Sequence, residues 1–326
     1  MKNKESELIL LTGATGFVGS ALNKRLLQDN VSVRAAVRSE ISELPKGVDL
    51  VQIEDLNPDI DWREALSEVD AIVHLAARVH VMHDVVADPL AEFRRVNVEG
   101  TLNMAQQAAL AGVRRFVYVS SVKVNGESTV LGKPFSPDDQ PDPQDHYGIS
   151  KYEAERCLLD LVSEKTGMEV VIIRPPLVYG SGVKANFASM MSWLDRGVPL
   201  PLGSVHNQRS LVALDNLVDL IVTCLDHPKA VNQTFLVSDG EDLSTTELLQ
   251  RMGRALGKPA RLIPVPVWVM QYAANLLGKG AVAQRLFGSL QVDSSKARDL
   301  LGWKPVVTVD EALQKTADAY KALHKK

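Results

Sequence analysis

Cysteine, surplus positive charge and long apolar runs are all scarce in this chain. Its 326 residues include two cysteines, Cys157 and Cys224. Two isolated thiols make neither a disulfide framework nor a metal cluster. His80 and His83 have no third ligand near them in sequence, so no metal site is expected. The formal net charge is -4, which gives no basic surface for nucleic acid. A small anionic ligand needs only one or two well-placed cations and remains allowed. No run of eighteen apolar residues occurs, so no transmembrane span is expected. The opening MKNKESELILLTG lacks the apolar region of a signal peptide. These absences point to a soluble protein of the reducing cytoplasm. Repeats and low-complexity tracts are also missing.

What is present is an alternation of apolar runs and helical patterns, the signature of a parallel sheet with crossover helices. Strands are expected at Leu8–Thr12, Val31–Val37, Asp49–Ile53, Ala71–Leu75, Phe116–Ser120 and Glu169–Arg174. The runs VSVRAAV, AIVHLAA and FVYVSS are short and apolar, as suits strands buried on both faces. Leu102, Ala105, Ala109 and Leu110 recur at roughly helical spacing. After Pro175-Pro176 the regularity changes, and Pro, Gly and Asn cluster through Pro199–Asn207. LVALDNLVDLIVTCL and QTFLVSDG then read as a helix and a strand returning to the sheet. The expected fold class is α/β, a doubly wound parallel Rossmann sheet with a smaller C-terminal α/β substrate domain. Residues 1–180 plus about 211–240 would form the first domain, and 181–210 with 241–326 the second.

LILLTGATGFVGSAL places Gly13, Gly16 and Gly19 between a strand and a helix. One glycine permits a sharp turn, the next lets backbone approach a pyrophosphate, and the last lets helix and strand pack closely. Free amides and the helix dipole would hold the diphosphate. The second strand ends in Arg38-Ser39, with no carboxylate for a ribose 2′-hydroxyl. An arginine beside a hydroxyl suits a 2′-phosphate, so NADP is preferred over NAD. Asp55-Leu56 follows the third strand and is placed to flank the adenine; Asp55 could equally cap a helix.

YGISK sets Tyr147 and Lys151 four apart, on one face of a helix. A nearby ammonium stabilises tyrosinate and draws its pKa down from about 10, so the phenol can move protons at neutral pH. The fifth strand ends in Ser120-Ser121, and Ser121 can hydrogen-bond a reacting oxygen. Ser121, Tyr147 and Lys151 form a proton-handling set beside a hydride carrier.

GATGFVG, HLAA at His74–Ala77, NVEGT at Asn97–Thr101, VSS before Val122, YGISK and RPPLVYG at Arg174–Gly180 run in this order. In that order they resemble the extended short-chain dehydrogenase/reductases. KANF, RSLVALDNLVDLI and VDSSKARDLLGWKP resemble the sugar-nucleotide epimerase branch, so the likeness spans nearly the whole chain. The resemblance implies a UDP-sugar site in the cleft and a homodimer through helices near Leu90–Ala111 and Ser150–Lys165. It implies cofactor contacts at Thr15, Phe17, Val18, Leu75, Ala76, Ala77, Asn97 and Pro175 as well as at the glycines, Tyr147 and Lys151. On the substrate side it aligns Arg209 with a diphosphate-gripping arginine, and Asn186 and Phe187 with residues near phosphate and uracil. Lys184 and Arg285 are further candidate cations, and Val81, Met82 and His83 are expected to face the sugar. An asparagine usual in such chains is replaced here by Leu177 and Val178.

Family dehydratases carry an acid pair where this chain has Val122-Lys123, so dehydration is disfavoured. Two reactions remain. One reduces a UDP-4-keto-6-deoxy-N-acetylhexosamine to a UDP-N-acetylquinovosamine-type product, in O-antigen synthesis; it is preferred because of Arg38-Ser39. The other is 4-epimerisation with tightly held NAD. An NADP-sensing regulatory protein is the reading from another class. Finally, VPVWVMQYAANLLG reads as a packed helix of the smaller domain, because it lacks the strongly basic face of a membrane-surface contact.

Overall fold

The computed structural model describes residues 7–38, 44–79, 88–163, 166–278 and 280–324. In chain order the first half runs β1 (Leu8–Thr12), α1 (Phe17–Gln28), β2 (Ser32–Val37), β3 (Asp49–Gln52), α2 (Arg63–Leu66), β4 (Ala71–His74) and α3 (Pro89–Arg94). A wide five-residue turn, Arg95–Glu99, leads into α4 (Gly100–Leu110), β5 (Arg115–Val119), α5 (His146–Ser163) and β6 (Glu169–Arg174). The second half runs β7 (Leu177–Tyr179), α6 (Ala185–Asp195), β8 (Arg209–Ala213), α7 (Leu214–Asp226), β9 (Thr234–Leu236) and β10 (Asp242–Leu243). Five helices close it: α8 (Thr245–Leu256), α9 (Val267–Leu276), α10 (Gly280–Phe287), α11 (Ser295–Leu301) and α12 (Val309–His324).

Seven strands form one sheet in the order β3-β2-β1-β4-β5-β6-β9, every pairing parallel. Side chains alternate faces along each strand. Ile9, Leu11, Val73, Val117 and Val171 therefore pack under α1 and α7. Leu10, Ile72, Phe116, Tyr118 and Ile172 pack under α4 and α5. This is the expected doubly wound Rossmann sheet. Its order reverses between β1 and β4, where a crevice opens at the carboxyl ends of the strands. A second sheet, β10-β8-β7, sits in a third apolar cluster with α6, α8 and α12.

All six expected strands occur, within a residue of the expected ends. QTFLVSDG does return to the sheet, as β9 beside β6. LVALDNLVDLIVTCL is only partly helix: its start belongs to β8, paired with β7 and β10 outside the main sheet. In α4 the buried face is Thr101, Met104, Ala105 and Ala108, while Leu110 is exposed. Cys157 is half-buried and Cys224 is buried. The expected helix around Trp268 forms as α9 and packs through Val267 and Met270, but it buries none of its residues fully and leaves Trp268 exposed. Among the described residues no helix is long and apolar enough to cross a membrane.

Candidate active site

The crevice begins at the glycine loop. Gly13 adopts φ +67°, a left-handed conformation costly for other residues. A Cβ on Gly13 would sit 2.9 Å from the Ala76 backbone nitrogen, and one on Gly19 would sit 2.1 Å from the Gly13 carbonyl oxygen. Neither position tolerates a side chain. Gly16 caps α1 without a side chain to satisfy the first-turn amides, which leaves them for an anion.

A cavity of about 800 Å³ opens over this loop. Gly13, Thr15, Gly16, Phe17, Val18 and Gly19 line one side, and Leu75, Ala76, Ala77 and Pro175 line another. Arg38, Asp55 and Leu56 line one end; Ser121, Tyr147 and Lys151 also line it. Ser120, on the same wall, has a buried hydroxyl without a hydrogen-bond partner among the described residues. The glycine cradle that a Cβ would fill, the free amides and this orphaned hydroxyl all fit a bound dinucleotide.

Tyr147 and Lys151 lie one turn apart on α5. Lys151 Nζ donates to the Val119 carbonyl at 2.9 Å and stands 4.4 Å from the centroid of the Tyr118 ring. It is 5.9 Å from the centroid of the Tyr147 ring. Burial lowers its pKa to about 7. Tyr147 packs edge-on against Phe93 at 6.4 Å. Its pKa is raised, first by burial and then by the Asp145 carboxylate. The expectation of a phenol made acidic by its neighbouring ammonium is corrected here: desolvation outweighs the attraction of a lysine that is itself partly discharged.

The Ser121 Oγ accepts from the Lys123 amide at 3.3 Å, capping the turn Val122–Val124. Lys123 Nζ pairs with Asp145 and, at 2.8 Å, with Glu127. Asp145 in turn accepts the Gly148 amide at 2.7 Å, at the start of α5. One ion cluster thus ties the turn after Ser121 to the helix bearing Tyr147.

The NAD-dependent epimerase/dehydratase family matches residues 9–238. The chain belongs to this family. It is 50% identical over 319 residues to a UDP-glucose 4-epimerase of Vibrio cholerae, covering 97% of this chain and 96% of the relative. It is 26% identical to an N-acetyl-alpha-D-glucosaminyl-diphospho-ditrans,octacis-undecaprenol 4-epimerase of Escherichia coli O157:H7, over 98% of this chain and 96% of the relative. Among solved structures, the UDP-glucuronic acid 4-epimerase of Bacillus cereus with NAD superposes with a TM-score of 0.78 at 21% identity, over 98% of this chain and 97% of that one. At that identity the likeness speaks for the fold alone.

As a member of the epimerase/dehydratase family the chain is an NAD(P)-dependent enzyme, but several expected contacts sit elsewhere. Asn97 does not line the cavity. Its buried amide group accepts from the Arg78 backbone N–H at 2.8 Å, donates to the Arg78 carbonyl at 3.0 Å and donates to Ser150 Oγ at 2.9 Å. It positions the strand-end loop against α5. Arg38 is held by Asp55 at 2.8 Å, both exposed, so a carboxylate already faces the guanidinium proposed for a 2′-phosphate. Ser39, Val81, Met82 and His83 lie outside the described residues.

Of the expected substrate residues that are described, Ser121 lines the 800 Å³ cavity, and Lys184, Asn186, Phe187, Arg209 and Arg285 do not. Lys184 caps α6 and Asn186 lies in its first turn, both exposed. Phe187 is buried and stacks on Tyr179 at 5.4 Å, so its ring is committed to the core and offers no face to a uracil. Arg209 is largely sheltered and donates to the Gly288 carbonyl at 3.0 Å; burial lowers its pKa, opposed by Glu127. Arg285 is exposed on α10. Among the described residues no cluster of three His, Cys, Asp or Glu could hold a metal.

Sequence reasoning missed Thr12, Val96 and Pro176, all of which line the cavity. Thr12 Oγ1 meets buried His74 Nδ1 at 2.8 Å, and His74 Nε2 meets Thr101 Oγ1 at 3.0 Å. Burial, with Lys151 adding, lowers the His74 pKa to about 3, so the ring is a neutral spacer. Polar residues at the carboxyl ends of parallel strands were the available signal for Thr12 and His74.

Proposed function

We propose that this enzyme inverts C4 of a UDP-hexose and retains NAD through the cycle. The observation that carries this reading is the meeting of the glycine cradle with Ser121, Tyr147 and Lys151 in one cavity. The reductase preferred on sequence rested on Arg38-Ser39. The Arg38–Asp55 pair weakens it, because an anionic 2′-phosphate would have to displace a carboxylate. The Vibrio cholerae relative supports the epimerase instead. Val122 is buried and Lys123 is held between two carboxylates, so neither offers the acid of a dehydratase. A purely regulatory dinucleotide sensor would not need the catalytic trio in the same cavity.

Bound NAD supplies reversible hydride acceptance at C4. The tyrosinate form of Tyr147, which lines the cavity beside Ser121, takes the proton of the C4 hydroxyl, and the phenol returns it; burial disfavours that anion, so positive charge on Lys151 has to offset the cost. Ser121 holds the C4 oxygen by hydrogen bonding. Lys151 sits one turn below Tyr147 and supplies positive charge when protonated; at a pKa of about 7 it does so near neutrality. A pair of copies joined through α4 and α5 belongs to the same reading, and exposed Leu110 and Leu159 on those helices support it.

The test uses purified protein with UDP-glucose or UDP-N-acetylglucosamine and no added cofactor. Proton NMR should show the C4 epimer accumulating, and acid denaturation should release NAD. Tyr147→Phe should lower kcat by about 10²–10⁴ while the released NAD is unchanged. Stoichiometric NADPH consumption with a 4-keto sugar, and no epimer formed, would return the reductase.

A further inference from the structure

The face that α9 turns to solvent is apolar apart from Asn275. Trp268, Tyr272 and Leu276 are 73%, 65% and 71% exposed at i, i+4 and i+8. Val269, Ala273 and Leu277 flank them one position on and are exposed too. The opposite side of the helix, through Val267 and Met270, packs against the third apolar cluster. A surface helix of a globular protein normally buries its apolar stripe. Here a second stripe is left in water.

The patch extends beyond the helix. Segments 198–203 and 261–263 run side by side, with the Leu200 amide donating to Arg261 at 2.9 Å and the Ile263 amide donating to Leu200 at 2.8 Å. Trp193, Val198 and Ile263 are all exposed around that edge, which leads into α9. Exposed apolar side chains gathered along one helix face mark an interaction site.

Charge identifies the partner. Residues 248–292 contain no Asp or Glu, yet include Arg251, Arg254, Lys258, Arg261, Lys279 and Arg285. The chain as a whole carries -4. Arg251 and Lys258 are paired with Glu241 and Asp195. Arg254, Arg261 and Arg285 are exposed and have no acidic partner among the described residues. A Trp/Tyr/Leu stripe with no carboxylate of its own, in a stretch of sequence whose exposed arginines lack acidic partners among the described residues, suits the headgroup layer of an anionic bilayer. There the amphipathic rings settle and the cations meet lipid phosphate. A second copy fits less well, because pairing two such faces brings like charges together.

We infer that the α9 face docks this enzyme on an anionic lipid surface. The surface is separate from the cofactor cavity, since no α9 residue lines it. The basic residues lie on the flanks of the apolar stretch, beyond the segment whose own lack of charge suggested simple packing. The inference stands independently of which sugar is turned over.

Vesicle flotation with the full chain tests it. Vesicles rich in phosphatidylglycerol should carry the protein upward, and pure phosphatidylcholine vesicles should carry far less. The triple variant Trp268→Ser, Tyr272→Ser, Leu276→Ser should float at least about tenfold less. Arg261→Glu with Arg285→Glu should lose the preference for anionic lipid. Each variant's melting temperature must match that of the parent, which these exposed positions permit. Failure of the parent to float on anionic vesicles overturns the inference, and so does equal flotation of the triple variant. If the parent never floats but the triple variant turns dimers into monomers by light scattering, the patch is a contact between copies.

Discussion

The ammonium of Lys151 is bound to the carbonyl oxygen of Val119 at 2.9 Å, inside the protein. Burial holds its pKa near 7, against an ordinary 10.5. The folded state therefore binds fewer protons than the unfolded state between about pH 7 and 10.5, and stability should rise with pH across that window. Below pH 7 the cost of the buried charge is fully present. Lys151→Met removes this titration. Its stability relative to the parent should be greatest at pH 6 and should decline toward pH 10, by about 4 kcal/mol. Urea melts at pH 6, 8 and 10 measure the slope. The lost hydrogen bond adds only a constant offset, so a gap that does not change with pH would refute the low pKa.

Tyr147 faces several charged or titratable groups. Lys151 follows on its own helix, Tyr118 comes from β5, and Asp145 precedes the helix. Asp145 raises the phenol's pKa and is paired with Lys123. Replacing Lys123 with Met removes one positive charge beside that carboxylate. The limb of the pH–rate profile governed by Tyr147 should then move upward by about one pH unit. Lys123→Arg should restore the parent profile. Asp145→Asn in the Lys123→Met background should shift it back, since an amide still caps α5. Profiles of kcat against pH for the four proteins decide this, and a change in KM alone would assign Lys123 to substrate binding.

The sheet was legible because its strands are short apolar runs separated by turn residues, and parallel strands buried on both faces need little else. The glycine loop was legible for a steric reason: only glycine fits 2.1 Å from the Gly13 carbonyl. The substrate side was not. Phe187 could be assigned to a ligand by alignment, but its stack on Tyr179 is a tertiary fact. Asn97 looked like a cofactor contact through the family resemblance of its motif, yet its amide is spent on Arg78 and Ser150. Periodicity showed that the stretch around Trp268 forms a helix with apolar faces, but it carries no information about which face turns outward. The charge state of Lys151 depends on burial, which spacing along a helix does not reveal.

Arg174 and Glu155 form the most deeply buried ion pair described, at 2.6 Å, with side chains 6% and 2% exposed. Glu155 lies one turn beyond Lys151 on α5, and Arg174 ends β6. Arg174 also donates to Asn125 Oδ1 at 3.1 Å, in the loop after Ser121. The pair therefore fastens the helix of Tyr147 to the strand and loop that place Ser121. Removing one partner strands a charge where water cannot reach it, so Glu155→Gln or Arg174→Met should each cost about 3–5 kcal/mol. Removing both avoids the stranded charge. Arg174→Met with Glu155→Leu should recover most of that loss, because the Coulomb attraction of a buried pair barely exceeds its desolvation. Its kcat should stay depressed, since Asn125 loses its guanidinium partner and the turn after Ser121 loses a tether. Urea melts and turnover of the three variants separate the two effects. Additive single-site losses in the double variant would mean that the pair stabilises the fold in its own right. Recovered stability with depressed turnover would mean that its role is to align Ser121 with Tyr147.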